Sequence, residues 1–234
     1  MTKILHFYRS TIGKKVIVAV SGLSLLLFVV GHVTGNLKAF GGIDPNGQPH
    51  LDAYAHFLRT AGSELFGYGG LLWIARIGLL LMLVLHVTAI IQLQALNAKA
   101  RPVQYRQKQH RASSFAARYM FVGGLILFAF IIYHLLHFTT GTLHNSFIEG
   151  QVYHNVYIAF QNPLILVIYT IAMIALGFHL FHGTWSLFQT LGIDSPDKNT
   201  ILRAVATVLA CLVAVGFLAV PYAMFFGILG KPPL

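Results

Sequence analysis

Five stretches of this chain, near residues 14–36, 68–96, 117–140, 163–189 and 201–229, are continuously apolar. Each is long enough to cross roughly 30 Å of hydrocarbon, which takes about 20 helical residues at 1.5 Å apiece. Backbone groups find no water in lipid, so a spanning segment must be a helix or part of a closed barrel, and the alternating strand pattern of a barrel is absent here. The expected fold is all-α: a polytopic membrane bundle of five transmembrane helices forming one domain, 1–234. The exterior agrees, because 9% charged residues against 56% hydrophobic ones cannot cover a water-facing globule. Asn162-Pro163 offers a capping residue and a first-turn proline to the fourth span, and Pro221 is expected to kink the fifth. The basic N-terminus reads as retained, since the apolar run after Lys15 is long for a signal peptide and four more spans follow.

Cationic residues fall on one side of this topology. Lys3, Arg9, Lys14, Lys15, Lys99, Arg101, Arg106, Lys108, Arg111, Arg118, Lys198 and Arg203 flank one set of helix ends; Lys38, Arg59 and Lys231 flank the other. The positive-inside rule then puts the N-terminus and the second and fourth loops in the cytoplasm, and the first and third loops and the C-terminus outside. The net charge of +10 is therefore a topology signal, and nucleic acid is not an expected partner. The segment between the second and third spans, NAKARPVQYRQKQHRASS, suits anionic lipid or an acidic soluble partner. The outer loop HLDAYAHFLRTAGSEL has the spacing of a short surface helix.

One cysteine, Cys211, excludes disulfide frameworks, thiolate zinc sites, iron–sulfur clusters and covalent haem attachment through C-x-x-C-H. No G-x-G-x-x-G follows a strand, so the usual nucleotide fingerprint is missing too. Twelve histidines remain, and six lie in the spans: His32, His86, His134, His137, His179 and His182. A lone histidine in a membrane helix more often bonds a neighbouring helix than a metal. Four helices each supplying one call for a test of depth.

His32 lies 17 residues beyond Lys15 and His134 lies 16 beyond Arg118. Both have thus risen roughly 24–26 Å from the cytoplasmic face. His86 and His179 lie 15 and 16 residues after Leu71 and Pro163, in helices running the other way. They sit near the cytoplasm, and the two layers are separated by about 15–18 Å. Facing imidazoles can fill both axial positions of a haem iron, so the pairs His32/His134 and His86/His179 describe an outer and an inner haem b. Residues eleven positions earlier on the same faces are Ser21, Ala75, Gly123 and Ile168. Three are small enough to let a porphyrin pass; Ile168 is not. His137 and His182, one turn on, are rival ligands that match depth less well. Zinc is disfavoured because no carboxylate accompanies either pair.

These residues resemble a known family. STIGKKVIVAVSGLSLLLFVVGHVTGN, MLVLHVTAI, GGLILFAFIIYHLLHF and HLFHGTWSLFQTLG, in this order over most of the chain, are similar to the five-helix, two-haem cytochrome b subunit of succinate:quinone oxidoreductases and fumarate reductases. The resemblance implies that His32, His86, His134 and His179 are the axial ligands and that His182 has a supporting role. It implies a flavoprotein subunit with FAD and an iron–sulfur subunit on the cytoplasmic face of a prokaryotic inner membrane. A quinone, usually menaquinone in this branch, would react near the outer haem. The oligomeric state of the whole complex is left open.

Further candidates follow from quinone chemistry, which exchanges protons as well as electrons. Glu64, just before the second span, is a candidate proton donor or acceptor, weighed against a plain surface carboxylate. Arg76 is the only arginine well inside a span, and it could pair with haem propionates or a quinone carbonyl. Trp185 and Ser186 are expected to border the inner haem. Some relatives carry a glutamate two residues before the fourth-span ligand; here Gly177 stands there, so their transmembrane proton route is not expected. Two other readings compete: the cytochrome b of another quinone-linked dehydrogenase, and a haem-free transporter relaying protons through histidines, although no inverted repeat is apparent.

Overall fold

The computed structural model describes residues 3–45, 47–100, 115–195 and 199–231, with side chains from residue 6 onward and from residue 116 in the third span. Among these the chain is all-helical, without a strand, and five helices are long and apolar enough to cross a membrane. They are α2 (Thr11–Asn36), α5 (Gly70–Lys99), α6 (Phe115–His134), α8 (Pro163–Thr190) and α9 (Asn199–Phe225). Shorter helices α1 (Lys3–Arg9), α3 (His50–Thr60), α4 (Ser63–Phe66) and α7 (Val152–Phe160) join or cover them. The expected spans agree with these helices to within a few residues at most ends. Arg101, Arg106, Lys108, Arg111 and Lys198, which the topology argument used, lie outside the described residues, as does the Lys3 side chain.

Local chemistry explains the helix ends. Ser10, in extended backbone, accepts the Gly13 N–H at 2.9 Å and opens α2. Asn162 does the same for Leu164 at 2.9 Å, with Pro163 in the first turn where its missing N–H costs nothing. Gly69 turns the chain into α5 at φ 72°, a conformation that a Cβ would oppose, and its N–H donates to the Arg59 carbonyl. The third span departs from its expected form: after His134 the helix widens into a π turn over Leu135–Thr139, closed by Thr140 N–H to Leu135 C=O at 3.0 Å. Such turns are rare and concentrate at functional sites. The fifth helix continues through Pro221.

The pairs α2/α5, α6/α8 and α8/α9 run antiparallel, as paired residues show, while α9 runs parallel to α2. Ser21 of α2 meets His86 of α5, His134 of α6 meets Tyr169 of α8, and Thr170 of α8 meets Tyr222 of α9. α5 packs along α2 and α6 along α8, while α9 buttresses α8 and α2 through Leu180, Ala210 and Val213. Small residues set the approach of α9 to α2: a Cβ on Gly216 would stand 2.8 Å from Val33 Cγ2. Apolar side chains cover the outside, with Leu27, Ile201, Leu212 and Val215 about two-thirds exposed, a surface suited to lipid.

One end of the bundle carries a cap built from α3, α7 and the 3₁₀ turn Leu37–Gly41. Ala39, Leu51, Tyr153, Val220 and Met224 form its apolar centre. Asp52 is buried beneath it and accepts the Tyr153 N–H at 2.8 Å. The expected surface helix is thus α3, although three of its residues face inward.

Burial raises the Asp52 pKa above the ordinary carboxylate value, against the N–H bonds from Tyr153 and Val152 that lower it. Below the ordinary value both folded and unfolded chains are protonated there. As pH rises the unfolded chain ionises first, so stability falls through the window up to the folded pKa. Asp52→Asn, which keeps an acceptor but no charge, is expected to flatten that slope in thermal unfolding of detergent-solubilised protein across pH. Asp52→Ala leaves the Tyr153 N–H without its acceptor and should cost about 1–3 kcal/mol.

Candidate functional site

The structure brings four histidines together as two pairs. His32 and His134 have ring centres 5.9 Å apart, with planes at 79°. His86 and His179 have ring centres 6.4 Å apart, with planes at 59°. His86 lies against Ser21, eleven residues before His32 on α2, and His179 lies against Gly124, ten residues before His134 on α6. At 1.5 Å per residue both helices put the layers about 15–16 Å apart.

The helices that carry each pair stand apart. Close packing joins α2 to α5 and α6 to α8, yet α2 and α6, and likewise α5 and α8, make almost no close backbone approach among the described residues. The imidazoles therefore meet across a gap. A metal-bound imidazole nitrogen is about 2 Å from the metal and about 1.15 Å from its ring centre, so two imidazoles on opposite sides of one metal have centres about 6.3 Å apart. The observed 5.9 and 6.4 Å leave room for such an arrangement and also lie within the range of ordinary ring contacts.

One histidine in each layer is held from behind. Ser21 Oγ lies 3.2 Å from His86 Nδ1, and Tyr169 Oη lies 3.2 Å from His134 Nδ1. Engaging Nδ1 leaves Nε2 free, the usual arrangement behind a ligating imidazole. Ser21 thus contacts His86 through its hydroxyl, whereas its small size had been the expected contribution. Gly22 eases the approach of the His86 ring, since a Cβ there would come 3.2 Å from His86 Cε1, whereas a Cβ on Gly124 would make ordinary contact with His179 Cε1 at 3.7 Å. Of the other residues expected to give clearance, Ala75 is exposed, Gly123 lines a cleft of about 280 Å³ beside His179, and Ile168 is half-buried. Tyr169, the residue after Ile168, is what α8 presents to the His32/His134 pair.

The rival histidines lie elsewhere. His137 is 1% exposed, bonds Tyr169 Oη through Nδ1 at 3.0 Å and stacks on His144 with ring centres 5.2 Å apart. His182 is half-buried and meets the Trp185 ring edge-on at 6.4 Å. His179 Nδ1, His182 Nδ1, Thr184 Oγ1 and Trp185 Nε1 are buried without a hydrogen-bond partner, a concentration of unsatisfied groups within two turns of α8. Ser186 is half-buried next to them. Arg203 of α9 lies over the Trp185 ring at 4.3 Å. Arg76 is exposed on α5 and sits over the Trp73 ring at 5.0 Å, and Glu64 is exposed on α4.

Tyr169, Gly22 and Gly124 were not singled out in the sequence. A tyrosine ten residues before His179 in an apolar helix was the available signal for the first. The two glycines had none beyond their small size.

The chain is thus defined as a five-helix bundle of membrane-spanning character holding two internal histidine pairs at two depths. Comparison with protein-family models, with curated proteins and with solved structures found no match.

Proposed function

We propose that this chain is the membrane-anchor cytochrome b subunit of a succinate:quinone oxidoreductase, carrying electrons between a cytoplasmic iron–sulfur subunit and a quinone. The observation that carries the reading is the pair of imidazole couples facing each other between helices that stand apart. His32 and His134 would hold the outer haem b, and His86 and His179 the inner one. Held between two histidines, such a group would supply one-electron transfer and leave no place for oxygen. Trp185 Nε1 and Thr184 Oγ1 offer donors to the carboxylates that a haem bears, and Arg203 adds a nearby positive charge. Removal from water strengthens such bonds.

The sequence motifs support the finer assignment: a prokaryotic inner membrane, N-terminus in the cytoplasm, a partner flavoprotein with FAD, and menaquinone as the substrate near the outer pair. A haem-free histidine relay is less well supported, because among the described residues no hydrogen bond links one histidine pair to the other.

Pyridine haemochrome analysis of the purified chain should give two haems b per polypeptide. A value of zero would remove this reading in favour of the transporter or a haem-free anchor. Copurification of a flavoprotein able to oxidise succinate distinguishes this complex from other quinone-linked dehydrogenases.

A further inference from the structure

Behind the outer histidine pair lies a polar cluster that the proposed electron path does not use. Tyr169 Oη stands 3.2 Å from His134 Nδ1 and 3.0 Å from His137 Nδ1. A phenol has one proton to donate, so it cannot donate to both rings. The surrounding bonds decide which. His144 accepts the Ser146 N–H at Nδ1 and meets the Asn155 carbonyl with Nε2 at 2.8 Å, so it is the neutral Nε2–H tautomer and a complete unit. His137 packs on its face by stacking, without a shared proton. That leaves Tyr169 to donate to one of His134 and His137 and accept from the other.

We infer that Tyr169 is a positioning residue that accepts the Nδ1–H of His134, donates its own proton to His137 Nδ1, and so makes His134 the more electron-rich ligand of the outer site. The inference rests on the proposed haem ligation by His134. Ligation through Nε2 requires the proton of neutral His134 to sit on Nδ1, which sets the direction of the whole relay. His137 is the acceptor that completes it, which explains a buried histidine on the π turn one step past the ligand. An acceptor behind Nδ1 raises the basicity of an axial imidazole and favours the oxidised metal. The inner site has a serine hydroxyl in the corresponding place, bonded also to the Ile17 carbonyl.

The test is a redox titration of both haems, followed optically, in purified wild-type protein and in Tyr169→Phe. Phenylalanine keeps the edge contacts with Phe130 and Phe160 and removes only the hydroxyl. The expected result is two haems retained, with the midpoint of the outer centre alone moved upward. The expected size is about tenfold in its reduction equilibrium, about 59 mV for one electron. The outer centre is identified as the one lost on replacing His134. His137→Leu removes the acceptor of the phenol and should move the same centre in the same direction by less, which keeps the test decisive if Tyr169→Phe fails to assemble. Two haems with unchanged midpoints, or a shift in the inner centre, would overturn the inference and leave the ligation standing. Wild-type protein without haem would instead overturn the ligation.

Discussion

Replacing His134 by leucine is expected to halve the haem content of the purified chain, from two haems b to one, and to leave the inner centre's spectrum and midpoint in place. His32→Leu should give the same outcome, because a single imidazole holds one face of the iron only. His86→Leu and His179→Leu should remove the other centre. Measured by haemochrome content together with low-temperature difference spectra, the four variants must therefore sort into two classes, and the classes must be the two pairs that face each other at 5.9 and 6.4 Å. Variants sorting across these pairs, or His137→Leu costing a haem while His134→Leu does not, would show that the ligand set is wrong. The structure argues against the exchange at His137, since that ring is directed to Tyr169 and His144 and makes no described ring contact with His32.

A second large effect is expected from a residue with no chemistry of its own. Gly22→Leu should abolish the inner haem as completely as removal of a ligand, although His86 and His179 remain. A bare Cβ at Gly22 would already stand 3.2 Å from His86 Cε1 and 3.5 Å from its Nδ1. A leucine adds three further carbons in the space of the ring and must push it off the Ser21 hydroxyl. Overpacking of this kind costs about 1–3 kcal/mol in ordinary cores, but here the larger loss is positional, because the ring that moves is half of a two-point clamp. Gly31→Ala, one residue before His32, is the control: its Cβ would meet nothing within 4 Å, and both haems should persist. Retention of the inner haem in Gly22→Leu would show that His86 is held in place by something other than the α2–α5 contact.

The five spanning helices were legible because apolar length is a one-dimensional property, and so was the grouping of histidines by depth, which needs only residue counts and alternating direction. Rotation about each helix was less so. The expectation of eleven-residue clearance treated the four helices as parallel rods with one face each. The structure instead brings Gly124 and Tyr169, ten residues from His134 and His179, to the opposite layers, while Ala75 is exposed. The rotation of each helix about its own axis decides which side chain reaches a given level, and it leaves no pattern in a uniformly apolar segment. Of the short helices, α3 was legible from its spacing, whereas α7 (Val152–Phe160) lies close before the capped start of α8 and carries no separate start or stop signal.

Cys211, the single thiol of the chain, is exposed on α9. Gly216, five residues further on, touches Val33 at the level of His32, so the sulfur lies about 7–8 Å below that layer and close to midway to the other. With the two proposed haems bound, a nitroxide attached there would be a fixed observer between their irons, and its relaxation with each centre oxidised in turn would measure both distances from one labelled position without any engineered residue.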